Sequence, residues 1–263
     1  MYSQKKKGNT LMTKLVHRLL SSVSLTIAFS SPALAQAPQQ PQGWMYGFGI
    51  NAAQDVYTDF DNRIIPIPII GYAGERLRIY GPFVSYQLLQ ERQLTIEAQL
   101  VPVFAGYEQD DSPIFEGMED RDFSYAAGLG VNYNVDSWAF SVSGNADIWG
   151  KFDGYQMTAS AGKTFRIQGL MIEPAIGVTY QDSNYVDYYY GVRTEEVTLS
   201  RAAYQGDSAI NTEVSLAVST RRFLGGMTRF EIGATFFDDS ISDSPITDDD
   251  MAMNAMLIYT RFF

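Results

Sequence analysis

"FSYAAGLGVNY", residues 123 to 133, places Phe123, Tyr125, Ala127, Leu129, Val131 and Tyr133 on one parity and Ser124, Ala126, Gly128, Gly130 and Asn132 on the other. A period of two belongs to a β-strand with one greasy face and one small or polar face. The pattern recurs. Trp138, Phe140, Val142 and Ile148 oppose Ser141, Ser143, Asn145 and Asp147, and Leu170, Ile172, Ile176, Val178 and Tyr180 oppose Glu173, Gly177 and Thr179. Residues 94–104, 210–221 and 228–237 repeat it. Runs of about 10 to 12 residues exceed the usual strand of a soluble sheet and suit a tilted strand crossing a bilayer. A soluble sandwich or lipocalin-like barrel would alternate too, with its apolar face inward. Here the polar parity carries glycine, serine and isolated charges, as a wet lumen does. Trp44, Tyr46, Tyr133, Trp138, Tyr180, Phe262 and Phe263 fall at strand ends, where interfacial girdles form. The sequence therefore predicts an all-β fold, an antiparallel transmembrane β-barrel in residues 44–263.

Loop lengths give the topology. The tight connections at 74–75, 90–91, 135–137, 167–169 and 224–226 are expected in the periplasm, and the longer ones at 54–63, 105–121, 149–153, 181–208 and 238–249 outside. Counting runs gives eleven strands. An even number is required when both ends lie in the periplasm. Splitting 76–89 at Gly81-Pro82, where proline interrupts a ladder, gives about twelve. Ten strands with an irregular first third is the alternative.

The N-terminus sets the compartment. Lys5, Lys6, Lys7, Lys14 and Arg18 precede the uncharged run 19–29, and Ala33 and Ala35 match a signal-peptidase site, so residues 1–35 read as a cleaved leader. The Pro- and Gln-rich stretch 36–43 reads as a flexible lead-in. The whole chain carries a net −11; without the five cations of the leader it carries −16, which disfavours nucleic acid as a partner. His17, the only histidine, leaves with the leader, and the chain has no cysteine. Histidine- and thiol-based catalysis and His-ligated zinc are thereby excluded from the mature chain. Paired carboxylates alone can cleave glycosides, but no such pair stands out, so no enzyme activity and no cofactor are expected.

The closing run "MLIYTRFF" (256–263) has the form that outer-membrane assembly machinery recognises, with Arg261 expected to snorkel to the interface. The segments "IPIPIIGYAGERLRIYG" (65–81), "GMEDR" (117–121), "DYYYGV" (187–192), "EE" (195–196), "AAYQGD" (202–207) and "DDSISDSPIT" (238–247), in that order, resemble the MipA/OmpV family of Gram-negative outer-membrane proteins. The resemblance implies an outer-membrane location among lipid and lipopolysaccharide. It also implies a scaffold that docks a lytic transglycosylase with a penicillin-binding protein, coupling murein cleavage to synthesis. A small channel for cations or polar solutes and a surface adhesin are the alternatives.

Three groups of residues are candidates for function. Tyr185, Tyr188, Tyr189 and Tyr190 belong to the external rim, either as an aromatic girdle continued into a folded loop or as a ligand-binding patch. Glu97, Asp147, Glu173, Glu213, Arg221, Arg229 and Glu231 fall on the lumen parity, where they pair to fill the barrel or line a narrow cation-preferring passage. Asp110, Asp111, Glu116, Glu119, Asp120 and Asp122 line one external loop and Asp238, Asp239, Asp243, Asp248, Asp249 and Asp250 another. Without a D-x-[DN]-x-[DN]-G loop, a solvated acidic rim is expected there rather than a divalent-cation site.

Overall fold

A computed structural model of the chain describes residues 41–60 and 62–263. The expected leader, and the lead-in as far as residue 40, lie outside the described residues. Strands β1 (Gly43–Ala53), β2 (Arg63–Ala73), β3 (Leu77–Tyr80), β4 (Phe83–Gln90), β5 (Leu94–Val103), β6 (Ser124–Val135) and β7 (Trp138–Asp147) follow one another as an antiparallel meander. The meander continues through β8 (Tyr155–Lys163), β9 (Phe165–Ile167), β10 (Leu170–Gln181), β11 (Ala209–Thr220), β12 (Met227–Phe236) and β13 (Met251–Phe262). β8 and β9 both pair with β10 in one register and form a single barrel strand, so the wall has twelve strands. The break between them lies opposite Pro174, which has no N–H to give the ladder. β13 pairs with β1, setting Phe48 opposite Tyr259, and closes the sheet. Closure pairs the first and last strands, which hydrocarbon would not tolerate as open edges, and leaves β2 and β5 unpaired only where β3 and β4 are short.

The expected strands at 94–104, 123–133, 138–148, 170–180, 210–221 and 228–237 all form within a residue or two of their predicted ends. Alternation is realised as an outer apolar face. In β6, Leu129, Val131 and Tyr133 are exposed, whereas Ser124 and Ala126 are buried. Close approach between strands is bought by glycine: a Cβ on Gly128 would stand 1.8 Å from the Gly144 carbonyl oxygen. The split at Gly81-Pro82 is a hairpin turn between β3 and β4, which gives the even strand number.

Aromatic residues ring the barrel at both ends of the strands. At the end of the short turns, Trp44 packs on Tyr72 (5.4 Å between centroids), Tyr46 on Phe263 (5.1 Å) and Trp138 on Phe140 (6.0 Å). Tyr125 with Trp149 (4.7 Å) and Tyr155 with Tyr180 (5.9 Å) mark the other end. Arg261 turns back from the strand and donates from Nη1 to the Leu224 carbonyl, 3.2 Å away.

Candidate functional site: a sealed mouth over a charged lumen

The long loops do not splay into water. Val56, Tyr57, Tyr107, Phe115, Met118, Phe152, Tyr185, Val186, Tyr189, Tyr190, Val192, Ile241 and Ile246, drawn from all five, are buried together as one apolar core above the barrel. Tyr107 stacks flat on Phe115 with centroids 3.8 Å apart, and Tyr57 meets both edge-on.

The tyrosine run sits at the centre of this cap. Asp182 accepts from the Tyr185 N–H and starts a short helix α1 (Ser183–Tyr190), which turns Tyr185, Tyr189 and Tyr190 inward. All three are buried, and Tyr188 is partly so. They occupy neither a lipid-facing girdle nor an open rim. Helical spacing, rather than the strand period, decides their burial, and the Asp182 cap was the signal available in the sequence. Tyr57 Oη donates to the Tyr189 carbonyl (3.1 Å), Tyr189 Oη to the Asp122 carbonyl (3.2 Å), and Ser244 Oγ to the Tyr190 carbonyl (2.6 Å). Burial pushes the Tyr57, Tyr189 and Tyr190 phenols well above their ordinary range, and those of Tyr107 and Tyr185 upward too. Phenols that ionise only with difficulty while folded favour unfolding as pH rises past the ordinary tyrosine value near ~10. An alkaline absorbance titration should thus show these five silent until the cap opens, then ionising together with loss of loop structure. Gradual ionisation of all tyrosines would place them in water.

Two arginines, absent from the sequence-based candidates, tie the cap. Arg121 donates from Nη2 to both Glu196 carboxylate oxygens (3.0 and 2.9 Å), from Nε to the Tyr188 carbonyl (2.7 Å) and from Nη1 to the Glu119 carbonyl (2.7 Å). The Arg121 and Glu196 side chains are 1 % and 2 % exposed. Arg201 donates from Nε to the Glu196 carbonyl (3.0 Å) and from Nη2 to the Glu116 carbonyl (3.2 Å), and reaches the Ile114 carbonyl with Nη1.

Most of the acidic loop residues form an exposed rim, and four of them join this framework. Asp111 pairs with Arg63 (3.2 Å), Asp122 with Lys151 (2.5 Å) and Glu119 with Arg193. Asp238 caps helix α2 (Asp239–Ser242) by accepting from Ser240 N–H. Among the described residues no three of these carboxylates converge as a metal site would need.

Below the cap, the lumen carries a pocket open to solvent in its half nearer the short turns. Asn132, Ser141, Thr158, Ser160, Lys163, Glu173, Glu213, Arg229 and Glu231 line it. Arg229 bridges Glu173 (2.6 Å) and Glu231 (2.7 Å), and Glu213 completes the acidic group on the same wall. Of the other expected lumen charges, Glu97 accepts from Asn132 (3.3 Å). Asp147 is a loop organiser at the strand end, accepting from Ser124 Oγ and from the N–H groups of Trp149, Lys151, Phe152 and Asp153. Arg221 is a correction: it is exposed in the turn between β11 and β12. One residue past the end of β11, the strand parity no longer directs a side chain inward.

The sequence model of the family described as MltA-interacting protein MipA matches residues 46–263. The chain belongs to the MipA family. The MltA-interacting protein of Escherichia coli K12 is 24 % identical over 206 residues, covering 77 % of this chain and 83 % of that protein. The putative outer membrane protein YiaT of the same strain is 25 % identical over 234 residues, covering 88 % and 94 %. Among solved structures, the outer membrane protein OprD from Pseudomonas aeruginosa is similar with a TM-score of 0.36 at 12 % identity, over 87 % of this chain and 71 % of that one. With relatives named as outer-membrane proteins, this MipA-family barrel is an outer-membrane protein. Its short turns accordingly face the periplasm and its cap the exterior.

Proposed function

We propose that this barrel is a non-catalytic interaction protein that works from its periplasmic side, bringing a lytic transglycosylase and a penicillin-binding synthase together at the outer membrane. The sealed external mouth is the observation that carries this reading. Five loops pack into one core over the outer end of the barrel, while the charged pocket lies in the half nearer the periplasmic turns, which favours a partner that meets the protein from the periplasm. A relative bearing the name MltA-interacting protein is in keeping with a murein-cleaving partner. The periplasmic turns are short, and the longest, 221–226, exposes Arg221, Arg222, Phe223 and Leu224 as an apolar and cationic knob. Affinity capture from envelope extract, with an unrelated barrel of similar size as control, tests the proposal. Recovery of murein enzymes by the native chain, cut at least tenfold in the double variant Arg222→Glu, Phe223→Ser, is expected. Equal recovery by the control barrel would overturn it.

A second reading has its own support in the pocket. Glu173, Glu213 and Glu231 outnumber Arg229 and Lys163 in its lining, as a cation passage would require. It predicts cation-selective conductance in planar bilayers that falls when Glu213 is made Gln. A silent bilayer would leave the interaction reading alone.

A further inference from the structure

The barrel wall is incomplete on one side. β3 has only four residues, and its hairpin with β4 turns at Gly81-Pro82 level with Ile70 of β2, where Gly81 N–H donates to the Ile70 carbonyl (3.0 Å). From Ile64 to Ile69, β2 is paired with β1 alone. On the far side, β4 pairs with β5 no further than Leu100, leaving Val101–Val103 paired with β6 alone. β2 and β5 share no ladder. Above the gap, the Arg63–Asp111 ion pair (3.2 Å) and the Ser112 Oγ bond to the Thr58 carbonyl (2.7 Å) form a lintel. The unpaired stretch of β2 runs about 20 Å along the strand at the usual rise, within the bilayer-crossing wall.

Prolines mark both jambs. In an antiparallel strand, alternate residues turn their backbone groups to alternate neighbours. Since the Ile70 carbonyl points toward β3, the even residues of β2 face the gap, and Pro66 and Pro68 are among them. In β5 the Leu94 carbonyl accepts from Glu91 N–H on the β4 side, so Pro102 also faces the gap. Each of the three therefore lacks an N–H where a missing strand would have needed one. A peptide strand cannot add to such edges, which excludes a protein partner that docks by pairing.

The opening is lined by apolar side chains. Ile65, Ile67 and Ile69 face the lumen on one jamb and Val101 and Val103 on the other. Phe83 on the sill meets Phe104 edge-on with centroids 6.2 Å apart. Beside Ile65 in register stands Asn51 of β1, also turned inward. Asn51 is 1 % exposed, and neither its Oδ1 nor its Nδ2 has a hydrogen-bond partner among the described residues. A buried amide left in that state is costly, and a ligand group can satisfy both atoms.

We propose that this gap is a lateral binding doorway for a single-chain amphiphile, a hydrocarbon tail with a small uncharged polar head, which enters from the membrane between β2 and β5. The tail lies against the isoleucine and valine jambs. The head takes the Asn51 amide. This assignment is independent of the proposed periplasmic partners.

A photoreactive diazirine dodecanol tests it, with the purified mature protein in phosphatidylcholine vesicles and labelled residues mapped by mass spectrometry. Label is expected on the inward Asn51, Ile65, Ile67 and Val101. Asn51→Leu and Ile67→Trp should each cut it at least tenfold, while Ile176→Trp on the distant lipid face leaves it unchanged. Heat-modifiable gel mobility confirms that each variant has folded. Label confined to outward residues such as Ile64 and Ile176 would overturn the proposal. So would inward label from a phospholipid carrying the diazirine on its acyl chain with none from the free alcohol, because the doorway would then hold resident lipid.

Discussion

Replacing Arg121 with Met is expected to cost the external cap about 3–5 kcal/mol, because it strands a buried carboxylate that has no route to water. Glu196 would keep the N–H groups of Arg193 (3.0 Å) and Glu119 (3.0 Å), which soften the loss without cancelling the charge. The arginine also loses its bonds to the Tyr188 and Glu119 carbonyls, so α1 loosens against the loop that carries Arg121. Hydrogen exchange should speed up across 104–123 and 183–204, while the strands below stay protected. The double variant Arg121→Met, Glu196→Leu should recover part of the loss, since two apolar side chains strand no charge. Unchanged exchange in the single variant would mean that aromatic packing alone holds the cap. The same pair sets an acid limit. Burial by itself pushes the Glu196 carboxyl up, but the Arg193 and Glu119 N–H groups, and then Arg121, outweigh it and hold the carboxyl below its ordinary value. A carboxyl depressed on folding lends stability above its unfolded pKa, near ~4.3, and withdraws it as pH falls through the folded value. Cap exchange should therefore accelerate at acid pH in the native chain, and less so in Glu196→Gln.

The barrel was legible in the sequence because a strand between lipid and lumen has only two environments. Every second residue must answer to one of them, as Leu129, Val131 and Tyr133 do to lipid. Proline could be read the same way, since its missing N–H is a local fact: Gly81-Pro82 marks the turn that brings the strand number to twelve. The cap was not legible. Tyr185, Tyr189 and Tyr190 are buried by loops that lie from about 30 to about 130 residues away in the chain, and no local period encodes those contacts. The acidic loops are a solvated rim, as the charge run suggests, with Asp110, Glu116, Asp120 and Asp248 to Asp250 exposed. What the run does not show is that the folded loops bring Arg63, Arg193 and Lys151 to Asp111, Glu119 and Asp122. Parity also lapses past a strand end, which is why Arg221 leaves the lumen group while Glu173, Arg229 and Glu231 keep it. Asp147 keeps its inward parity at the end of β7 but is taken up by Ser124 and the loop that follows the strand.

Leu129→Arg should be the most damaging single change in the wall, at about 2–4 kcal/mol, the cost of an arginine facing lipid near the bilayer midplane. Leu129 stands near the middle of β6, is 55 % exposed, and has only Ala98 and Gly144 beside it on the outer face. Among the described residues no carboxylate stands beside Leu129 on the outer face to pair with the guanidinium, and both interfaces are several residues away, so the side chain must stretch or thin the bilayer. Tyr133→Arg, at the aromatic belt, should cost no more than about 1 kcal/mol. Ser143→Arg tests the opposite parity. It lies on the lumen side of β7 among Gly130 and Thr158, where water and neighbouring acids can take the charge. Urea unfolding from vesicles, read by gel mobility, orders the three. If Leu129→Arg is tolerated as well as Ser143→Arg, the outer face is not in lipid, and the same alternation would have to be met by a barrel turned to water. If the ordering holds, Ile64 and Ile70 beside the gap are in hydrocarbon by the same parity, and the doorway between β2 and β5 opens onto lipid rather than onto solvent.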